Sequence, residues 1–348
     1  MRYGKGRLNE RRILVIKLSV LDQVPRSSET TNEIALKETA DLAQAAESMG
    51  YFRYWVAEHH DLHGLLSPSP EILLAYIGAK TNSIRLGAGA ILLPHYAPFK
   101  VAESFHMLAN LFPGRIDLGL GRSPGGSAEA AEALSGNFIE RIHTMDERMT
   151  ELMHFLNRDF PEGHKYASLQ AVPLPYEPPA VYMLGTSKKS AALAAKHNLQ
   201  YVYGQFMDDQ NGQDVIAHYR KRANQATKPI ACVFVLCAES NEKARQLYRS
   251  VRLWQTANQQ GRMMAAIPTE AETAYFLSQL NEEERAAVMN VPSTAIVGDK
   301  QHVKERLDAI ANELHVDELM VLTHAPELSD RLHSYRLLAE IYPQLVSL

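Results

Sequence analysis

Phe52-Arg-Tyr-Trp-Val-Ala-Glu58-His59-His60-Asp-Leu-His63-Gly-Leu-Leu66 reads as a short hydrophobic strand, Tyr54 to Ala57, that opens into titratable side chains and a glycine-containing loop. Ionisable groups at the exit of a buried strand oppose folding because burial strips them of water, so their presence points to chemistry. Two later segments follow the same plan. Ile84-Arg-Leu-Gly-Ala-Gly-Ala-Ile-Leu-Leu-Pro-His95 ends on a proline and a histidine. Arg115-Ile-Asp-Leu-Gly-Leu-Gly-Arg122-Ser-Pro-Gly-Gly126 ends on an arginine and a glycine-rich loop. Strands ending in polar or glycine-rich loops, with helices between them, describe a (β/α)8 barrel with its active site at one rim.

The rest of the chain keeps this alternation. Strand-like runs occur near 14–21, 53–57, 84–93, 115–120, 180–184, 200–204, 230–237 and 318–323. Between them, apolar residues recur at helical spacing, as in Val101, Phe105, Leu108 and Phe112 or Val303, Leu307, Ile310 and Leu314; each set makes one apolar face to lay against a sheet. The fold expected is an α/β TIM barrel, with a doubly wound sheet as the rival. The organisation expected is a basic N-terminal tail over 1–12 and a single barrel domain over 13–348. Two insertions, about 123–178, with a Gly/Ala/Ser-rich loop and a helix near 139–157, and about 239–298, exceed what a minimal barrel needs and belong at the C-terminal rim, where long insertions often serve as lids.

Composition narrows the function. The formal charge of −4 gives no basic face for nucleic acid. The longest apolar run, the nine residues from Ile230 to Ala238, is too short to span a membrane. The N-terminus is basic but lacks the long apolar segment of a secretory signal. Cys232 and Cys237 are the two cysteines. Five positions apart on one strand, they face opposite sides roughly 16 Å apart and cannot pair. A reduced, cytoplasmic protein is the simplest account.

Four places carry candidate chemistry. In Glu58-His59-His60, neighbouring strand residues point to opposite faces, so the two histidines do not share a metal if the strand continues; Asp61 and His63 could still complete a metal site. Hydrogen-bonded histidines under the rim, or an acid–base role, are the other readings. Gly87-Ala-Gly89-Ala90 either admits something flat against the backbone or serves tight packing at the barrel neck. Gly119-Leu-Gly-Arg122-Ser-Pro-Gly-Gly126 has the spacing G-x-G-x-x-x-G and a proline at the helix start, so it fails as a dinucleotide motif and reads as a strand exit bearing one arginine. Gly185-Thr186-Ser187-Lys-Lys-Ser190 enters an alanine-rich helix. Its hydroxyls are ordinary caps or, together with Arg122, a phosphate cradle.

Taken together, Leu18-Ser-Val-Leu-Asp-Gln23, Trp55-Val-Ala-Glu-His-His60, Leu86-Gly-Ala-Gly-Ala-Ile-Leu-Leu-Pro94, Gly114-Arg-Ile-Asp-Leu-Gly-Leu-Gly-Arg122 and Gly185-Thr-Ser187 with Ser190 resemble the bacterial luciferase-like flavin-dependent monooxygenases. The resemblance implies a TIM barrel, reduced FMN from a separate flavin reductase, molecular oxygen as oxidant, a small organic substrate and often a homodimer. It assigns the active-site histidine to His59 and the FMN phosphate to Arg122, Ser187 and Ser190, with Thr186 adjacent. It sets Gly89-Ala90 where the family has a non-prolyl cis peptide beneath the flavin ring. It gives residues 255–290 the place of a mobile active-site loop. Gly121 replaces the cysteine that luciferase has before its arginine, so light emission is not implied. Gln205 occupies a position where related members carry histidine, which leaves substrate identity open. The rivals are a deazaflavin-dependent oxidoreductase of the same superfamily, a non-catalytic flavin-binding barrel and a metal-dependent barrel hydrolase.

Lacking a nicotinamide motif, the chain should purify with little flavin and should not oxidise NADH by itself. NADH consumption followed at 340 nm with FMN present and no reductase should stay near background. Rapid consumption would contradict this reading.

Overall fold

Several strands are buried on both faces, the signature of a sheet covered by helices. Ile230–Cys237 reads Ile-Ala-Cys-Val-Phe-Val-Leu-Cys, and all eight side chains are buried. The computed structural model describes residues 16–208, 211–224, 228–262 and 264–343. The basic tail over 1–12 and the start of the first strand-like run fall outside them.

The first half of the chain contains β1 (Lys17–Asp22), α1 (Asn32–Ser48), β2 (Arg53–Val56), α2 (Pro70–Gly78), β3 (Arg85–Leu92), α3 (Pro98–Leu111), β4 (Ile116–Gly121), α4 (Ala128–Ser135), α5 (Phe138–His143) and α6 (Met145–Asn157). The second half contains β5 (Ala180–Gly185), α7 (Lys188–Lys196), β6 (Gln200–Gly204), α8 (Gly212–Arg220), β7 (Ile230–Cys237), α9 (Asn241–Gln259), α10 (Glu270–Ser278), α11 (Glu282–Met289), β8 (Ile296–Gly298), α12 (Lys300–Leu314), β9 (Glu318–Leu322) and α13 (Leu328–Ile341). Strands β1 to β7 pair in sequence, all parallel; β7 then pairs with β9, and β9 with β1. The ring is closed, so this is a (β/α)8 barrel and not a doubly wound sheet. Each of the eight strand-like runs of the sequence supplies one barrel strand.

Three details depart from the sequence reading. The helix expected near 139–157 is two helices meeting at Thr144, which ends α5 and precedes α6. The Gly/Ala/Ser-rich loop contains α4, capped by the Ser127 hydroxyl and closed by Gly136 in the left-handed region. Short β8 was not foreseen. It pairs with the end of β7 outside the ring, Val235 opposite Ile296.

Strand alternation divides the apolar side chains. Leu18, Val20, Tyr54, Val56 and Leu86 belong to the core beneath the helices. Leu21, Trp55, Tyr182, Val202, Cys232 and Met320 form a separate interior cluster. Cys237 belongs to the first group, so the two buried cysteines do sit on opposite faces and remain free. Toward the start of the strands the interior is ionic. Arg53 bonds Glu318 at 2.7 Å and Asp117 at 2.8 Å. Asp117 also accepts from Arg85 at 2.6 Å and from the Trp55 indole at 2.9 Å. Trp55 is accommodated because β3 and β4 carry glycine where its ring passes: a Cβ on Gly87 would fall 2.4 Å from its Nε1.

Gly119 is the tightest of these positions against backbone. A methyl group there would meet the Ala88 carbonyl oxygen at 2.3 Å. Gly119→Ala should therefore destabilise the barrel by about 1–3 kcal/mol, the usual cost of overpacking. Urea denaturation should show a lower midpoint at unchanged slope; an unchanged midpoint would mean that β3 and β4 separate freely.

Candidate active site

The strand ends place the side chains. After β2 the chain stays extended for three residues. Ala57 N–H donates to Asp22, His59 N–H to Ser67, and His60 N–H to Gly125. Along this segment the two histidines part company. His60 is buried, and its Nε2 lies 2.8 Å from Glu58 Oε1. The same carboxylate accepts from Tyr96 Oη at 2.8 Å and from Leu92 N–H at 3.0 Å. Glu58 thereby ties the exits of β2 and β3 together, and His60 is part of that brace. Burial holds the Tyr96 phenol well above its usual range, with Glu58 adding to it.

His59 instead lines a cavity of about 560 Å³ at the C-terminal ends of the strands. Its Nδ1 is buried without a hydrogen-bond partner among the described residues. Burial, and secondarily His60, lowers its pKa to about 4, so the ring is neutral at pH 7. Asp61 and His63 turn away, Asp61 accepting from Ser127 Oγ at 2.7 Å. Among the described residues no group of three His, Cys, Asp or Glu side chains could hold a metal ion.

The residues that the resemblance assigns to catalysis and to the flavin all border this one cavity: His59, Gly89, Ala90, Arg122, Thr186, Ser187 and Ser190. The Gly89–Ala90 peptide is cis, and the ladder between β3 and β4 shifts register between Ala88 and Ile91. Gly89 rests on Leu21 and Trp55, which bears out tight packing at the barrel neck, and it also borders the cavity. At another side Arg122 donates to Ser187 Oγ at 3.0 Å. Ser187 caps α7 in a reciprocal capping box with Ser190. Ser190 Oγ donates to the Ser187 carbonyl at 2.8 Å and lies 3.0 Å from Tyr201 Oη. Gly185 leaves room for that hydroxyl, since a Cβ would sit 2.3 Å from it. No carboxylate among the described residues pairs with Arg122. A guanidinium, two hydroxyls and a helix start without a counter-ion form an anion cradle.

A second cavity of about 850 Å³ adjoins the first, and both are bordered by Gln23, Leu62, Phe206 and Met207. Helix α9 and residues 292–295 form much of its wall. The segment proposed as a mobile loop runs partly along it and is pinned to the β1 exit. Ile267 N–H donates to Arg26, Ser28 N–H to Ile267, and Arg26 Nη2 to Ala265. Gln205, expected to bear on substrate identity, does not border either cavity. It turns toward a small separate pocket beside Asn211 and Glu313, and Phe206 and Met207 take the place on the site side.

The sequence reading missed His324. It stands two residues beyond β9, buried between the rings of Phe234 and Trp254 at 5.6 Å from each, and neither of its nitrogens has a partner. Burial, then Arg331 and His59, lowers its pKa to about 3. Its signal was available: Leu322-Thr-His324 is a strand exit ending in a titratable group, as is Glu58-His59.

The family model described as luciferase-like monooxygenase matches residues 16–318. N-acetyl-S-alkylcysteine monooxygenase of Bacillus subtilis (strain 168) is 34% identical over 94% of this chain and 98% of its own. The crystal structure of apo-MsnO8 superposes with a TM-score of 0.84 at 32% identity, covering 94% of this chain and 98% of that one. The oxygenating constituent of 3,6-diketocamphane monooxygenase from Pseudomonas putida, solved in complex with FMN, shares the fold with a TM-score of 0.69 at 19% identity over 94% of this chain and 98% of its own.

The neutral buried histidines carry a pH signature. In the unfolded chain an imidazole protonates near ~6.5. Folded His59 and His324 resist protonation down to about 4 and about 3. The unfolded state therefore binds more protons as pH falls below the unfolded value, and stability present at pH 7 is lost toward pH 4. Replacing His324 by leucine should shrink the loss between pH 7 and pH 5 by about 2 kcal/mol. Urea midpoints at the two pH values measure it; equal losses in both proteins would refute the buried neutral state.

Proposed function

Because the chain belongs to the luciferase-like monooxygenase family, we propose that it is a flavin-dependent monooxygenase that uses reduced FMN and molecular oxygen to oxidise a small organic substrate. The observation that carries this reading is the uncompensated cradle of Arg122, Ser187 and Ser190 at the start of α7, which suits the terminal phosphate of FMN. The remaining walls fit a flat ring. Gly89 and Ala90 offer backbone without bulk, while Leu21, Ala57, Val202 and Cys232 are apolar. A volume of about 560 Å³ is in the range of cofactor pockets.

Reduced flavin, when bound, supplies the activation of oxygen and the transfer of one oxygen atom. This chain's residues do the rest. Arg122 and the two serines hold the phosphate and set the register of the cofactor. The apolar walls exclude water. His59, neutral at pH 7 and with Nδ1 unpartnered, takes up or holds a proton there or anchors a hydrogen bond at the reacting edge. A separate flavin reductase, a homodimer and a cytoplasmic location complete the reading. Among the described residues no helix is long and apolar enough to cross a membrane. The relative named for N-acetyl-S-alkylcysteine puts small sulfur-containing acids first in a substrate panel.

Two variants test the assignment. Arg122→Ala should weaken FMN about ten- to a hundredfold, the worth of a charged hydrogen bond, and leave riboflavin nearly unaffected. His59→Ala should keep FMN affinity and melting temperature while lowering reductase-coupled oxygen uptake about a hundredfold or more. Equal losses for FMN and riboflavin would remove Arg122 from the phosphate. Anaerobic hydride transfer with a deazaflavin in place of oxygen uptake would favour the coenzyme rival.

A further inference from the structure

Among the described residues three arginines are buried: Arg53, Arg252 and Arg331. Two are neutralised. Arg53 bonds Asp117 and Glu318, and Arg331 bonds Asp22 at 2.6 Å. Arg252 is 7% exposed and has no carboxylate partner among the described residues. Its one hydrogen bond to a described residue goes from Nη2 to the Val291 carbonyl. A buried charge without a counter-ion opposes folding unless something else supplies the opposite charge.

Arg252 borders the second cavity, the one next to the proposed flavin site. Tyr248, Arg252, Gln255 and Gln259 recur at spacings of four, three and four, so they share one face of α9, and all four border that cavity. Tyr248 Oη is held 2.7 Å from Ser293 Oγ across the wall. The two glutamine side chains make no hydrogen bond to a described residue and offer primary amides. The other formal charge bordering the cavity, Asp61, is exposed and bonded to Ser127. The innermost charge is therefore positive.

We propose that Arg252 is the anion-binding residue of the substrate site, and that the substrate is a small organic carboxylate whose oxidisable end points toward Phe206 and Met207, the wall shared with the first cavity. The guanidinium fork matches a carboxylate in shape and charge. Gln255 and Gln259 would serve neutral polar groups on the same molecule. This rests on the monooxygenase reading for the chemistry, but the anion site itself is a matter of binding and is tested as binding.

The probes are N-acetyl-S-benzylcysteine and octanoate, each against its methyl ester, titrated by calorimetry into the full-length protein saturated with oxidised FMN. At least one acid should bind ten times tighter than its ester or better. Arg252→Gln, which keeps a donor for the Val291 carbonyl, should lower that acid's affinity about ten- to a hundredfold and leave the ester and FMN unchanged. Arg252→Lys should retain part of the preference. Melting curves separate loss of the site from loss of the fold. In the coupled assay Arg252→Gln should raise KM for the acid far more than it lowers kcat. Acids that bind no better than their esters, or an acid preference that survives Arg252→Gln, would overturn the proposal. An Arg252-dependent acid preference with no oxygen uptake on any probe would instead retain the anion site and reject the oxygenase reading. Ester and acid oxidised alike by both proteins would retain the oxygenase and reject the anion site.

Discussion

Trp55 inside the barrel is the constraint around which the site is arranged. Its indole is wholly buried, and Asp117 accepts its N–H at 2.9 Å. Asp117 is in turn held by Arg53 and Arg85, and Arg53 by Glu318. Removing one member would strand a charge in the interior, which costs several kcal/mol, so the parts are mutually dependent. The ring also sets the composition of its neighbours. Gly87, Gly89 and Gly119 have no side chain because Trp55, Leu21 and the Ala88 carbonyl already fill the space. Above this level Gly89 and Ala90 border the first cavity.

Charge divides along the same axis. Below, and behind β1, the arginines are neutralised by aspartate and glutamate at 2.6–2.8 Å. At the rim Arg122 and Arg252 have no carboxylate partner among the described residues, and each borders its own cavity. Compensated pairs in the interior fix a geometry; on the proposed reading, the uncompensated arginines are where an anionic ligand would bind. The histidines divide in a similar way. Glu58 engages His60 in the brace between strands, and His59, one residue away, is left neutral with a bare nitrogen at the cavity.

Much of this was legible in the chain. The barrel strands show as apolar runs because both faces are buried, and the helices show as periodic faces because only one is. His59, Arg122 and Ser187 were legible because each stands at a strand exit, where a polar residue has no packing reason to be. Gln205 stands at such an exit as well, yet it turns outward past Gly204, and a spacing rule does not foretell that turn. Helix α4 was hidden because short alanine-rich segments with glycine nearby read equally well as loop.

By itself, then, the order of residues determined the eight strands, the rim that carries the chemistry and the identity of the first cavity's main groups, since these follow from local periodicity and from residues placed against their own hydrophobicity. Only the tertiary structure decided that Glu58 engages His60, that His324 is enclosed by Phe234 and Trp254, and that Arg252 alone among the buried arginines described lacks a carboxylate. Those outcomes depend on groups distant in sequence. Arg331 finds Asp22 across 309 positions and Arg53 finds Glu318 across 265, and whether a buried charge is paired depends on such meetings.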